Sequence, residues 1–281
     1  ESNDTTLMPR SMARLRAGAR ASGSLAEMTM AETFCAISEL SAVIEAQPTN
    51  SGARFNLVSA LASQNRTEEL TSVLVEQIRL RPDDTDARFN LANLWQNAGR
   101  SAEAREQFEA VVKLKPTDVA ARQGLGLLLV QQGEAQAATA QFQQALQYET
   151  NATLCYQLAL AQMMQVDFTN ALASLRLSLS LETNAPMVLN DLAWLLAPVP
   201  DPNLRQPAEA LRHALRACEL TERKIAPLLG SLDAAYAANG QFANAIATAQ
   251  EVIALAEKNG QQEIAVLAKA RLALYQDGRP Y

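Results

Sequence analysis

Histidine occurs once in this chain, as His213, and cysteine three times, as Cys35, Cys155 and Cys218. Ligating side chains so few and so scattered match no metal or haem spacing, and an odd number of them makes no disulfide framework. Each cysteine falls at an apolar or small position of an expected helix, where a thiol is expected to be buried and inert. His213 lies between Arg212 and Ala214 on an expected helix, without the partnered nucleophile that a base-dependent hydrolase needs. No Gly-x-Ser-x-Gly, phosphate-binding loop or dinucleotide fingerprint occurs. Aromatic residues make up only 5% and Ala, Leu and Gln dominate, a composition of helices in close contact rather than of sheets. Glycine and proline number 11 each and fall at regular places, so the chain is not of low complexity.

Long apolar runs are also missing. The longest contender, Leu125–Val130, falls far short of the roughly 20 residues of a membrane span, and no signal peptide is visible. The chain starts at Glu1 rather than Met, so something is expected to have been removed or left out: a signal sequence, a preceding domain or a stretch beyond an expression boundary. A soluble protein is expected, cytoplasmic or periplasmic. Basic residues number 24 and acidic residues 30, a net charge of −6, which argues against a general affinity for nucleic acid. The local exception is Arg10, Arg14, Arg16 and Arg20. Their spacing suits one solvated helical face, with an anionic lipid or RNA contact as the lesser option. The acidic pairs Glu68-Glu69 and Asp83-Asp84 stand at expected helix starts, where carboxylates favour the amide-rich end.

What the chain has is a period. Ala-Arg-Phe-Asn-Leu occurs at Ala53–Leu57 and again at Ala87–Leu91. Leu57, Leu91 and Leu125 share one slot, Arg54, Arg88 and Arg122 another, and Pro48, Pro82 and Pro116 a third. A fixed period of this size, about 34 residues, means stacked supersecondary units. Within the clearest unit, Phe89, Leu91, Ala92, Leu94 and Trp95 make a helical stripe, Gly99 supplies a stop, and the pattern resumes over Ala102–Leu114 until Pro116. Two helices joined by so short a turn are expected to be antiparallel neighbours.

The slots Arg88, Leu91-Ala92, Trp95, Ala104, Phe108 and Pro116, and in the next unit Arg122, Leu125-Gly126, Leu129, Ala138, Phe142 and Thr150, resemble the tetratricopeptide repeat of bacterial type. The resemblance covers most of the chain. A looser one, over Leu189–Leu196, Ala208–Thr221 and Arg271–Tyr281, is to the closing part of many bacterial tetratricopeptide proteins. It implies an all-α right-handed superhelical solenoid of antiparallel helix pairs. The expected division is an N-terminal segment with a poorly patterned first helix over 1–30, the second helix of that degenerate repeat over 31–50, and six repeats over 51–259. Their bounds are 51–84, 85–118, 119–151, 152–185, 186–225 and 226–259, and 260–281 is a capping helix and tail. In the cap, Ile264, Leu267, Ala268, Leu272 and Leu274 are read as the amphipathic pattern. In the fifth repeat a proline-rich insertion, Pro198–Pro207, stretches the leucine-to-leucine interval, which there runs from Leu192 to Leu232. It is either a rigid long turn or a binding loop.

The resemblance also implies a groove, lined by the first helix of each pair, that receives a peptide. Projected onto this chain it picks out Phe55, Asn56, Phe89, Asn90, Asn93, Gln96 and Asn97 early on. Further along it picks out Leu127, Val130, Tyr156, Leu160, Met163, Met164, Asn190 and Trp194. Amides there can bond a peptide backbone in two directions, and the methionines suit an adaptable apolar contact. The lysine slots of the carboxylate clamp found in some chaperone-binding relatives hold Phe55, Phe89 and Gln123, so that clamp is absent. The arginine ladder could meet an acidic partner, but salt bridges to neighbouring units are the favoured expectation. Expected, then, is a non-catalytic scaffold that binds another protein or peptide segment, with no cofactor, metal or nucleic acid. The alternatives are a structural or accessory subunit of a larger, possibly membrane-associated complex, and the soluble C-terminal repeat domain of a longer enzyme.

Overall fold

A computed structural model of the chain describes residues 30–47, 50–197 and 205–281. The N-terminal arginines Arg10–Arg20, Pro48 and the insertion as far as Leu204 lie outside the described residues. Those described form an all-α solenoid of helix pairs. The helices are α1 (Met30–Ala46), α2 (Ser51–Ser63), α3 (Thr67–Leu80), α4 (Thr85–Asn97), α5 (Ser101–Leu114), α6 (Val119–Gln131) and α7 (Ala135–Leu146). They continue with α8 (Ala152–Met164), α9 (Phe168–Leu181), α10 (Pro186–Leu196), α11 (Pro207–Leu220), α12 (Ala226–Ala238), α13 (Phe242–Lys258) and α14 (Gln262–Gln276). No described helix is long and apolar enough to cross a membrane.

Local chemistry fixes where the helices start and stop. Side chains of Asn50, Asp84, Asp118 and Asn151 each accept a hydrogen bond from the backbone amide three residues on, at 2.8–3.1 Å. These caps recur at nearly equal intervals along the chain and satisfy an amide that the helix itself leaves free. Between the two helices of a pair the chain reverses through one left-handed residue. That slot holds Asn65 (φ 55°), Gly99 (74°), Gly133 (79°), Val166 (60°) and Gly240 (70°). A bond from the next amide back to the helix closes each turn, as from Arg100 N to Trp95 O at 2.8 Å. For β-branched Val166 the conformation is strained.

The chain divides into two compact units, Glu1–Ala121 and Arg122–Tyr281. In unit 1 the core is built on Leu40, Leu57, Leu61, Leu70, Leu74 and Leu91. In unit 2 the larger core gathers Leu172, Leu175, Leu189, Leu192, Leu229 and Leu232. Small residues set the spacing of the helices. A methyl group added at Gly126 would sit 2.5 Å from Cε1 of the fully buried Phe142. The matching slot in other pairs holds Ala92, Ala159 and Ala193, all fully buried.

Three sequence expectations are corrected here. Cys35 is exposed, not buried. It precedes Ala36, Ile37 and Leu40, which face inward, and one residue along a helix turns a side chain about 100° away. Leu267 of α14 is 54% exposed, because the buried face runs through Ala265, Ala268, Arg271 and Tyr275 instead. The arginine ladder does not bridge neighbouring units through carboxylates where its bonds are seen. Arg88 donates to Gln107 Oε1 at 2.7 Å and Pro82 O at 2.9 Å, and Arg122 donates to Gln141 and Gln144. Arg54 and Arg122 are buried, so neither offers a charge to a partner.

Replacing Val166, which is 68% exposed, by glycine is expected to stabilise the chain by about 1 kcal/mol, since the relieved strain exceeds the entropy glycine adds. A thermal melt reads this as a rise of roughly 2–4 °C. Asp84→Ala is expected to cost about 1 kcal/mol at pH 7. Partial burial pushes the Asp84 carboxyl up, but hydrogen bonds from Gln77 and the Ala87 amide and the charge of Arg81 bring it below its ordinary 3.8. A depressed acid contributes its stability above the unfolded value and loses it as pH falls through the folded one. The gap between Asp84→Ala and the parent in urea titrations should therefore narrow as the pH drops below about 4.

Candidate functional site

Unit 2 presents one face on which the first helices of its pairs are joined by a ladder of polar bonds. Gln123 Nε2 on α6 donates to Gln157 Oε1 on α8 at 2.9 Å, across 34 residues. The Tyr156 hydroxyl on α8 donates to Asp191 Oδ2 on α10 at 2.9 Å, across 35 residues. Asp191 also accepts from Asn190 Nδ2 at 3.1 Å. The Asn190 Oδ1 atom is buried and has no hydrogen-bond partner among the described residues. Burial pushes the Asp191 carboxyl above its ordinary value, against the pull of Tyr156 and Asn190. Burial likewise raises the Tyr156 hydroxyl, and the Asp191 charge adds to the shift.

Apolar side chains edge this ladder. On α8, Tyr156, Leu160, Met163 and Met164 fall at helical spacing. The first three are half-buried, and Met164 is exposed. On α10 the stripe runs Met187, Asn190, Asp191 and Trp194, with Trp194 39% exposed and Met187 exposed. Leu127 and Val130 on α6 are half-buried. The Trp194 ring meets Tyr281, centroid to centroid at 6.3 Å, and the Arg271 guanidinium lies 5.8 Å from the Tyr281 ring.

Beside it stands a polar knot that the hydrophobic pattern did not reveal. Asp233 on α12 is fully buried. Arg271 on α14 grips it with two bonds, Nε to Oδ1 at 2.8 Å and Nη2 to Oδ2 at 2.9 Å. The Tyr275 hydroxyl adds a third at 2.8 Å. A side chain at Gly230 would press on the guanidinium, with Cβ 2.9 Å from Nη2. Every hydrogen-bonding demand of this carboxylate is met inside the chain, so the knot locks α14 onto α12.

The other expected site residues fall in unit 1. Phe55, Asn56, Asn90 and Asn97 are exposed, and Asn93 and Gln96 are half-buried. Phe89 is half-buried, with its ring edge-on to the buried Phe108 at 5.9 Å. Unit 1 also has a recess of ≈ 420 Å³ between α1 and the start of α3, lined by Phe34, Ile37 and Arg66 among others. Arg66 is already held by Glu69, at 2.6 and 2.8 Å. Sequence reasoning picked Tyr156, Asn190 and Trp194 but missed Asp191, the acid they surround. The signal was present, since residue 191 is one slot after Asn190 in the same register as Gln157.

Nothing else forms a chemical centre among the described residues. No group of three His, Cys, Asp or Glu side chains there could hold a metal. His213 Nε2 lies 3.3 Å from Glu209 Oε1, one turn away, and burial lowers its affinity for a proton. Cys218 is pushed up to about 11 by burial, so its thiol is a poor nucleophile.

The family model for the tetratricopeptide repeat matches residues 74–119 and 89–152. No curated protein matches the chain by sequence. Among solved structures, the chain is similar to YrrB, described as a tetratricopeptide repeat protein with an unusual peptide-binding site. Identity is 20%, with a TM-score of 0.59, over 70% of this chain and 97% of that one. It is similar to PilW, a type IV pilus biogenesis factor, at 19% identity and a TM-score of 0.61, over 78% and 98% of the two chains. A tetratricopeptide repeat protein from Parabacteroides merdae aligns over 92% of this chain and 96% of its own, at 15% identity and a TM-score of 0.56.

Asp191→Asn tests the electrostatics of the site. A carboxyl whose folded value is raised above 3.8 favours folding when protonated, and that advantage is lost as pH rises through the folded value. At pH 7 the ionised group is a liability that the neutral amide lacks. The substitution is expected to raise the melting temperature at pH 7, and the gain should shrink as pH falls towards 4. A lower melting temperature at pH 7 would contradict the site's electrostatics.

Proposed function

Starting from the premise that this chain is a tetratricopeptide repeat protein, we propose that it is a protein-interaction scaffold that takes a segment of a partner polypeptide on the first-helix face of unit 2. The observation that carries this is the pairing on one face of exposed apolar side chains with a buried, unanswered hydrogen-bond acceptor. Met164, Met187 and Trp194 are exposed, and they flank Asn190 Oδ1, which is buried without a partner among the described residues. Isolated exposed apolar residues are ordinary, but a run of them beside convergent polar groups is the composition of a binding surface.

In mechanism the face is preorganised. Tyr156 is fixed by its bond to Asp191, and Gln157 by its bond from Gln123. Both bonds cross from one helix pair to the next, so binding orders little on this side of the interface. Methionines adapt to the shape of an apolar guest, and Asn190 Oδ1 awaits a donor. Leu127, Val130 and Leu160 extend the apolar strip, and in unit 1 Phe55, Asn56, Phe89, Asn90, Asn93, Gln96 and Asn97 are proposed as further contacts. Support from comparison is of fold alone, and a peptide-binding site is described for YrrB.

Segments selected from a random peptide display library against the full chain test the proposal. Trp194→Ala is expected to weaken the selected segments at least about 10-fold, the loss of a buried aromatic anchor. Leu177→Ala, at an exposed position on α9, should leave affinity unchanged. Equal effects of both substitutions, with the far-ultraviolet circular dichroism intact, would refute the assigned face.

A further inference from the structure

We infer, on the strength of that scaffold reading, that the face selects a partner segment carrying a lysine or arginine, whose cation docks on Asp191 and Asn190 and whose stem lies along Trp194. Two aspartates of unit 2, the buried Asp233 and the half-buried Asp191, make the contrast. Asp233 is answered by a two-pronged arginine and a tyrosine from α14. Asp191 accepts only from two neutral donors, the Tyr156 hydroxyl and the Asn190 amide, and no lysine or arginine among the described residues forms an ion pair with it. A carboxylate partly withdrawn from water without a counter-charge is unfavourable, and a partner's cation would supply the charge that no described residue provides.

The surroundings specify the shape of that cation. Beside the carboxylate, Asn190 Oδ1 is a second acceptor with nothing bonded to it among the described residues. A guanidinium has five N–H donors and an ammonium three, so either can serve both groups at once. Trp194 follows Asn190 by four residues and Asp191 by three, which places its ring on the same stripe of α10. Tyr281 meets that ring, yet it stays 39% exposed. An aliphatic stem packs on such a ring and a cation is attracted to its face. The nearby cation, Arg271, is neutralised by Asp233, so it does not repel the guest. The net charge of −6 also favours a basic partner over an acidic one.

Segments from the display library are to be measured by calorimetry against the full chain and against Asp191→Asn. Each basic segment is also resynthesised with citrulline for arginine or norleucine for lysine. The expected result is a shared Lys or Arg among the segments. Affinity should fall at least about 10-fold both on Asp191→Asn and on removing the peptide's charge, and the two losses should not add when combined, because one contact is being deleted twice. Segments lacking a basic position, or basic ones indifferent to Asp191→Asn, overturn this inference and leave the scaffold reading standing. Failure to select any segment overturns both. Should Asp191→Asn not fold, the citrulline and norleucine peptides decide alone, and undiminished affinity for them refutes the inference.

Discussion

Two helices can pack closely only where a side chain between them is small, and four pairs of this structure depend on that constraint. Gly126 against Phe142 is the tightest instance, with no room for a methyl group. Ala92, Ala159 and Ala193 hold the same slot elsewhere, and Ala104, Ala138, Ala171 and Ala245 are fully buried on second helices. Close approach lets leucines from both helices interlock at interior density. The turn between them is then only a few residues long, which forces a left-handed residue at a fixed place. Glycine meets that demand in three pairs, and Asn65 and Val166 bear it at a price in strain. The caps at Asn50, Asp84, Asp118 and Asn151 complete a unit that can be repeated because each part has the same length.

Function follows from what such packing leaves over. A helix pair buries one side of each helix, and in unit 2 the remaining side of the first helices carries the polar ladder and its apolar margin. The contrast between buried Asp233 and half-buried Asp191 separates the chemistry that holds the fold from the chemistry proposed for binding. Asp233 is saturated by the chain itself and holds the terminal helix in place. Asp191 is held in position by neutral donors, and no lysine or arginine among the described residues compensates its charge. One stabilises the fold, whereas the other is a cost to stability that a partner can offset.

The period made much of this legible. Recurrence of Ala-Arg-Phe-Asn-Leu one repeat later requires stacked helical pairs, and the all-α solenoid is what the chain forms. Polar residues were harder to place, because apolar periodicity is silent about them. Arg271 and Tyr275 look like solvent-facing residues until Asp233, far back along the chain, is known to face them. Counting leucines in α14 therefore put Leu267 on the inner face when the real inner face ran through those two polar groups. Asp191 was missed for a related reason: its partner Tyr156 lies in the preceding pair, a contact that only the repeat register, not the local apolar pattern, could signal. Asp84 was visible as a helix-start acid, but the shared register of Asn50, Asp84, Asp118 and Asn151 as caps emerges only once the helix bounds are known.

A crystal structure of the chain with a display-selected segment bound tests the central claim most directly. The claim predicts the segment along α8 and α10, with an apolar side chain between Met164 and Trp194 and a polar donor on Asn190. A segment seated on the second helices, or in the recess beside Phe34 and Arg66, would contradict it.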